Sequence, residues 1–168
     1  MEYNYPEIPE EIKKLLESGE TIDEIRIDTG GSWTHNGQAF LNKRIIDFFN
    51  RSVDVTRDGE YVIHYADFVY PIVVEDAPVF ITGVRFEGAG PQEKVFVTVR
   101  SRGEELLDAD TLYVKANNSL YCRVCGGRFP AKFMRSPSFQ VLERLEESDD
   151  TFHLSIGGKR IVLQEKVD

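Results

Sequence analysis

The sharpest chemical spacing in the chain is that of Cys122 and Cys125, in the run Cys122-Arg123-Val124-Cys125-Gly126-Gly127. A Cys-x-x-Cys-Gly turn can place two thiolates on one zinc ion, but a closed site needs two further ligands. No other cysteine exists, and His35, His64 and His153 stand apart without ligand-pair spacing. A dithiol redox centre needs its first cysteine at a helix N-terminus with a lowered pKa. This motif instead leaves a strand-like run, where positions 122 and 125 point to opposite faces. The expectation is a structural pair and no metal, with Cys122 and Cys125 the candidate ligands should zinc bind.

A second set is basic. Residues 112–145 hold Lys115, Arg123, Arg128, Lys132, Arg135 and Arg144 against Glu143 alone, in a chain whose net charge is −9. Arg123, Arg128, Lys132 and Arg135 could hold the phosphate or carboxylate of an anionic small molecule. A helix starting at Ser136 would add its dipole. Tyr113, Tyr121, Phe129, Phe133 and Phe139 would supply stacking surface. The competing reading is that these cations offset the acidic remainder while the aromatics fill a core. Glu75 and Asp76 are adjacent carboxylates, but neighbours on a strand diverge, so they make a poor acid–base pair. Asp76 before Ala77-Pro78 suits a turn that bonds local amides. Trp33 reads as a core anchor. No nucleophile elbow, P-loop, zinc-protease helix or dinucleotide fingerprint occurs.

These groups must be positioned by an ordinary globular chain. It has 168 residues, 41% of them hydrophobic and 29% charged, with 11 Phe and 7 Tyr. That is enough apolar surface for a packed core and too much for disorder. The acidic balance argues against general nucleic-acid binding and against anionic membranes. The N-terminal run Met1–Glu7 has no basic or apolar targeting region. The longest apolar stretch, Phe68–Val74, is interrupted by Pro71 and is too short to span a bilayer. Two cysteines do not make a secreted disulfide framework. The expectation is a cytoplasmic protein without a membrane segment.

Periodicity places the elements. A helix over 6–19 starts at Pro9 and stops at Gly19, with Ile8, Ile12, Leu15 and Leu16 on one stripe. Ile25–Asp28 and Trp33–His35 flank a glycine turn. Residues 42–51 form a helix capped by Asn42, with Ile45, Ile46, Phe48 and Phe49 inward. Strands follow at Tyr61–Tyr65, Val69–Glu75, Val79–Glu87 and Lys94–Arg100. Leu112–Lys115, a type I′ turn at Asn117-Asn118-Ser119 and Leu120–Val124 come next. Then come a Ser136-capped helix to about Glu147, with Phe139, Leu142 and Leu145 inward, and strands Phe152–Ile156 and Arg160–Leu163.

Gly30-Gly31-Ser32 aligns with Asn117-Asn118-Ser119, Trp33 with Leu120 and His35 with Cys122. The expected fold is therefore α+β. Mostly antiparallel sheets are built from two related strand-turn-strand-helix-strand halves joined by a β-meander. The expected organisation is a helical arm over 1–20 and one compact domain over 21–168. Its halves are about 22–66 and 111–163, linked by a meander over about 67–110.

Trp33 followed by Gly37, the helix ending at Phe48-Phe49, Asp58-Gly59-Glu60-Tyr61 and above all Val74-Glu75-Asp76-Ala77-Pro78 carry a resemblance. Leu120-Tyr121-Cys122-Arg123-Val124 and the Ser-led helix extend it. Over about residues 22–163 the chain resembles the bacterial family called domain of unknown function 1285. The resemblance implies an α+β fold with repeated motifs, marks Trp33, Gly37, Glu75, Asp76, Ala77 and Pro78 as motif positions, and implies no established activity. Family members have been considered as ligand-binding or signalling proteins. His64-Tyr65-Ala66-Asp67-Phe68 departs from the family pattern, as do the two cysteines.

The function expected is a cytoplasmic non-enzymatic binding or signalling module, its partner a small molecule, with an anionic one the candidate, or a protein. Two alternatives stay open: a small-ligand enzyme with a dispersed active site, and a zinc-binding protein through Cys122 and Cys125. Open sheet edges make a homodimer available.

Overall fold

The computed structural model describes residues 9–17 and 23–167. The ends of the expected first helix, with its stop at Gly19, lie outside the described residues. The chain divides into two compact units, Met1–Pro78 and Val79–Asp168.

In the first unit, helix α1 (Glu10–Glu17) precedes strands β1 (Ile25–Ile27), β2 (Trp33–His35) and β3 (Gln38–Ala39). Helix α2 (Lys43–Ser52) leads to β4 (Val53–Val55), β5 (Tyr61–Tyr65), β6 (Phe68–Pro71) and β7 (Val73–Val74). One sheet has the order β3-β2-β1-β7, and β7 runs parallel to β1. The other is the antiparallel ribbon β4-β5-β6. Asn42 caps α2 as expected, its Oδ1 accepting from the Arg44 N–H at 2.9 Å. The helix buries Ile45, Phe48, Phe49 and Asn50.

Asn50 explains how Trp33 can be a core residue. The buried indole Nε1–H donates to Asn50 Oδ1 at 2.8 Å, which meets the need of a buried donor for a partner. Asn50→Leu strands that N–H and is expected to lower the unfolding free energy by about 2 kcal/mol, as read from urea denaturation. Asn50→Asp keeps an acceptor and should lose less.

The expected strand Val69–Glu75 is two strands. β6 ends at Pro71, Ile72 donates its N–H to the Tyr61 carbonyl, and β7 then joins the other sheet. Proline cannot continue a hydrogen-bonded ladder on its N–H side, so it suits the crossing point.

The second unit begins with the meander β8 (Val79–Glu87), β9 (Lys94–Val99) and β10 (Gly103–Leu106). Next are β11 (Tyr113–Val114), β12 (Leu120–Val124), β13 (Phe129–Phe133) and helix α3 (Arg135–Leu142). Strands β14 (Leu145–Ser148), β15 (Thr151–Ile156), β16 (Lys159–Val162) and β17 (Gln164–Glu165) finish it. Seven strands make one sheet in the order β10-β9-β8-β13-β12-β11-β17. Within it β13 is parallel to β8 and β17 is parallel to β11. The strands β14-β15-β16 form a separate antiparallel sheet. Val95, Val97 and Val99 are buried on one face of β9, as their alternation requires.

The two halves repeat in topology. Three antiparallel strands, a helix, a three-stranded ribbon and a last strand returning parallel to the first occur as β1 to β7 and again as β11 to β17. Even the first turn is shared. Gly31 N–H donates to the Asp28 carbonyl and Asp28 N–H to that of Ser32, as Asn118 does to Lys115 and Lys115 to Ser119. Each turn has one left-handed residue, Gly31 at φ 86° and Asn118 at φ 63°. The chain thus turns through a three-residue loop, Ala116–Asn118, closed by Lys115 and Ser119, rather than the type I′ turn expected at Asn117-Asn118-Ser119.

Three expectations about 128–147 need correction. Phe129–Phe133, read as part of a basic segment, is a strand inside the large sheet. Helix α3 is preceded by Met134 and has no side-chain cap, so Ser136 does not cap it. The helix ends at Leu142 and buries Pro137 and Val141, while Phe139 is 67% exposed and Leu145 already lies in β14. Pairing of β14 with β15 overrides the helical propensity of Leu142–Glu147.

Candidate functional site

The four cations expected to form an anion pocket are strung along the β12–β13 hairpin instead of converging. Arg123 projects from β12, and its Nε donates to the Gly127 carbonyl at 2.8 Å, pinning its own turn. Arg128 lies in that turn beside Phe129. Lys132 is half-buried on β13, cross-paired with Tyr121 and Phe80. Arg135 starts α3, beyond the other end of β13. Sequence proximity suggested a cluster, but an extended strand carries the chain about 3.3 Å per residue and separates its ends.

Cys122 is fully buried in β12, and burial pushes its thiol pKa far upward. Cys125 is half-buried at the left-handed start of the turn, φ 55°, with its N–H on the Glu105 carboxylate at 3.1 Å. Burial raises its thiol pKa as well. A zinc knuckle needs accessible thiolates, and among the described residues no group of three or more metal-ligating side chains comes together.

The motif positions have structural work. Glu75 Oε2 accepts the Thr29 N–H at 3.1 Å and Oε1 meets Arg26 Nη1 at 3.4 Å, tying the end of β7 to the Asp28–Ser32 turn. Asp76 is half-buried, and Ala77 and Pro78 are buried. Gly37, at φ 84°, closes the Asn36-Gly37 turn between β2 and β3. Trp33 is in the core.

The roomiest of the described clefts lies elsewhere in the first unit. It measures about 570 Å³ and is lined by Asp23, Glu24, Ile25, Glu60, Tyr61, Pro71, Ile72 and Val73. Segments ending three different strands supply it: the approach to β1, the start of β5 and the β6–β7 crossing. Its acids are held in place. Asp23 Oδ1 accepts from Asn36 Nδ2 at 3.0 Å, and Oδ2 lies 3.2 Å from His35 Nε2. The Asn36 hydrogen bond, followed by the close approach of His35, holds the Asp23 carboxyl below the usual range. Glu24 takes Arg26 Nε at 2.8 Å, and this pairing lowers its pKa too. Tyr70 donates to the Asp23 carbonyl at 2.5 Å and so fixes the same wall.

Asp23 stands out by no local spacing, and Glu60 and Tyr61 only as part of the Asp58–Tyr61 motif stretch, which points to no cleft. The available signal was global: Met1–Pro78 carries 7 Lys and Arg against 16 Asp and Glu, which accounts for the whole net charge of −9.

Chemically, carboxylates beside apolar residues suit a cation with a hydrocarbon body. Among the described residues no helix is long and apolar enough to cross a membrane.

No protein-family model matches the sequence, and no curated protein matches it. Two solved structures do match. One is a DUF1285 family protein from Silicibacter pomeroyi DSS-3, with TM-score 0.69 and 17% identity, covering 83% of this chain and 79% of that one. The other is a DUF1285 family protein from Shewanella baltica OS155, with TM-score 0.55 and 21% identity, covering 74% of this chain and 94% of that one. The chain therefore has the fold of DUF1285 family proteins, the family that its Val74–Pro78 stretch resembles.

Proposed function

We propose that this chain is a non-enzymatic binding module whose ligand is an organic cation held in the first-unit cleft. The observation that carries this reading is the lining itself: Asp23, Glu24 and Glu60 line the cleft of about 570 Å³ together with Ile25, Pro71, Ile72 and Val73, with no basic residue among the described lining residues. The nearby guanidinium of Arg26 is engaged by Glu24 and Glu75. This replaces an anion as the favoured ligand, because the four candidate cations do not share a site.

Spermidine is a suitable probe, having protonated amines on a hydrocarbon chain. Isothermal titration calorimetry at low salt is expected to show saturable binding, and citrate should show none. Glu60→Gln removes one rim charge and is expected to weaken spermidine about 5-fold, the effect of roughly 1 kcal/mol of lost Coulomb attraction. Equal affinity in the variant, or binding of citrate instead, would contradict the reading.

A further inference from the structure

The repeat leaves one strand edge filled in the second half and open in the first. In the seven-stranded sheet, β13 has β12 on one side and β8, parallel to it, on the other. Its counterpart β3 has β2 on one side and ends its sheet on the other. His35 corresponds to Cys122, and it pairs with Gln38 as Cys122 pairs with Ala131. Counting on, Ala39 corresponds to Lys132, Phe40 to Phe133 and Leu41 to Met134.

The open edge presents hydrogen-bonding groups. Phe40 donates its N–H inward to the Trp33 carbonyl at 3.1 Å, so alternation turns the backbone groups of Ala39 and Leu41 outward. At the equivalent place in the second half, the Met134 N–H donates to the Ile81 carbonyl of β8 at 2.8 Å. Gln38, Ala39 and Leu41 are exposed, Leu41 by 89%. A short edge strand resists casual pairing, but a bare leucine at its end does the reverse. Helix α2 flanks the edge: half-buried Phe40 meets the Phe49 ring at 5.1 Å between centroids. Helix α3 likewise packs against β8 and β13. Lys43 and Arg44 stand exposed in the first turn of α2, which carries no acid. A strand parallel to β3 runs toward that turn, so its C-terminal end meets two cations and the positive end of the helix dipole.

We infer that the β3 edge takes an extended peptide of a partner protein, parallel to β3 as β8 is to β13. The peptide has apolar residues opposite Gln38–Phe40, as Val79–Ile81 lie opposite Ala131–Phe133, and acidic residues after them. This is recognition by strand addition, in which backbone hydrogen bonds give affinity and alternate side chains give specificity. The site shares no residue with the first-unit cleft and does not depend on what the cleft binds.

The probe is a synthetic peptide of residues 77–82 of this chain extended by two aspartates. Amide NMR of the full chain is expected to show saturable shifts at residues 38–44. Ala39→Pro removes the outward N–H and leaves the inward ladder intact. It should weaken the peptide about 10-fold, with an unchanged urea midpoint. Leu41→Ser, at a position outside the core, should weaken it about 10-fold as well. A peptide ending in two lysines should bind about 5-fold more weakly than the aspartate form. Shifts at residues 131–134 instead would show the peptide displacing β8 from its own place and would overturn the proposal. So would an absence of saturable shifts, or an affinity unchanged in both variants. If the free chain is a dimer that Leu41→Ser dissociates, a second copy occupies the edge, and the partner peptide is overturned.

Discussion

Phe49→Ala is expected to lower the unfolding free energy by about 4 kcal/mol, within the range for deleting a buried aromatic side chain. Phe49 is fully buried on α2 and touches three rings: Trp33 at 5.2 Å, Phe40 at 5.1 Å and Phe48 at 6.0 Å between centroids. Each such pair adds about 1 kcal/mol beyond the area removed from water. A domain with only about 5–15 kcal/mol in total is left near its threshold by that loss. Phe139→Ala is the paired control, because Phe139 lies on α3 but is 67% exposed. It should change stability by less than about 0.5 kcal/mol. Urea midpoints of the two variants check both the burial of Phe49 and the direction in which α3 faces. A comparable loss at Phe139 would contradict the observed helix orientation.

Glu93→Ala is expected to destabilise the second unit by about 2–3 kcal/mol, the scale of a charge-assisted hydrogen bond lost in a partly buried setting. Glu93 is 10% exposed. It accepts both Arg144 guanidinium nitrogens, at 2.6 and 3.0 Å, and the Gly157 N–H at 3.0 Å. One carboxylate therefore joins the 3-10 turn at Gly90–Gln92, the end of α3 and the β15–β16 turn. The turn could not be held so closely by another residue type. Gly158 has φ 77°, and a Cβ there would lie 2.5 Å from the Pro91 carbonyl oxygen.

The same contacts set a pH dependence. The Arg144 bond holds the folded-state pKa of Glu93 below its ordinary value, helped by Gly157 and opposed by desolvation. A depressed folded pKa gives stability that is present above the unfolded value, about 4.3. It is lost as pH falls through the lower folded value. Glu93→Gln should therefore differ from the wild type most at neutral pH and least near pH 3, by chemical denaturation. A difference that persists undiminished in acid would contradict the role of the charge.

Much of the architecture was legible because it is local. β1 and β9 show period-two patterning, and Asn42 announces α2. The repeated halves could be read from their turns because Gly31 and Asn118 occupy equivalent left-handed positions. What escaped was decided by strand pairing, which local composition does not report. Leu145–Ser148 has helical composition but completes a ribbon with β15. Phe129–Phe133 hides a strand behind Pro130 and Lys132, and it lies between the neighbouring β12 and the distant β8. The cleft was illegible for the same reason. Asp23, Glu60 and Ile72 meet only because β1 pairs with β7 while β5 pairs with β6. Charge counting could locate the acidity, but no spacing rule places those three residues together.

The most direct test of the account is a spermidine titration followed by amide NMR at low salt. The account predicts saturable shifts concentrated at residues 23–25, 60–61 and 72–73, with the 123–135 region unmoved. Shifts centred on Arg123, Arg128, Lys132 and Arg135 when citrate is added, with no response of the first-unit cleft to spermidine, would contradict it.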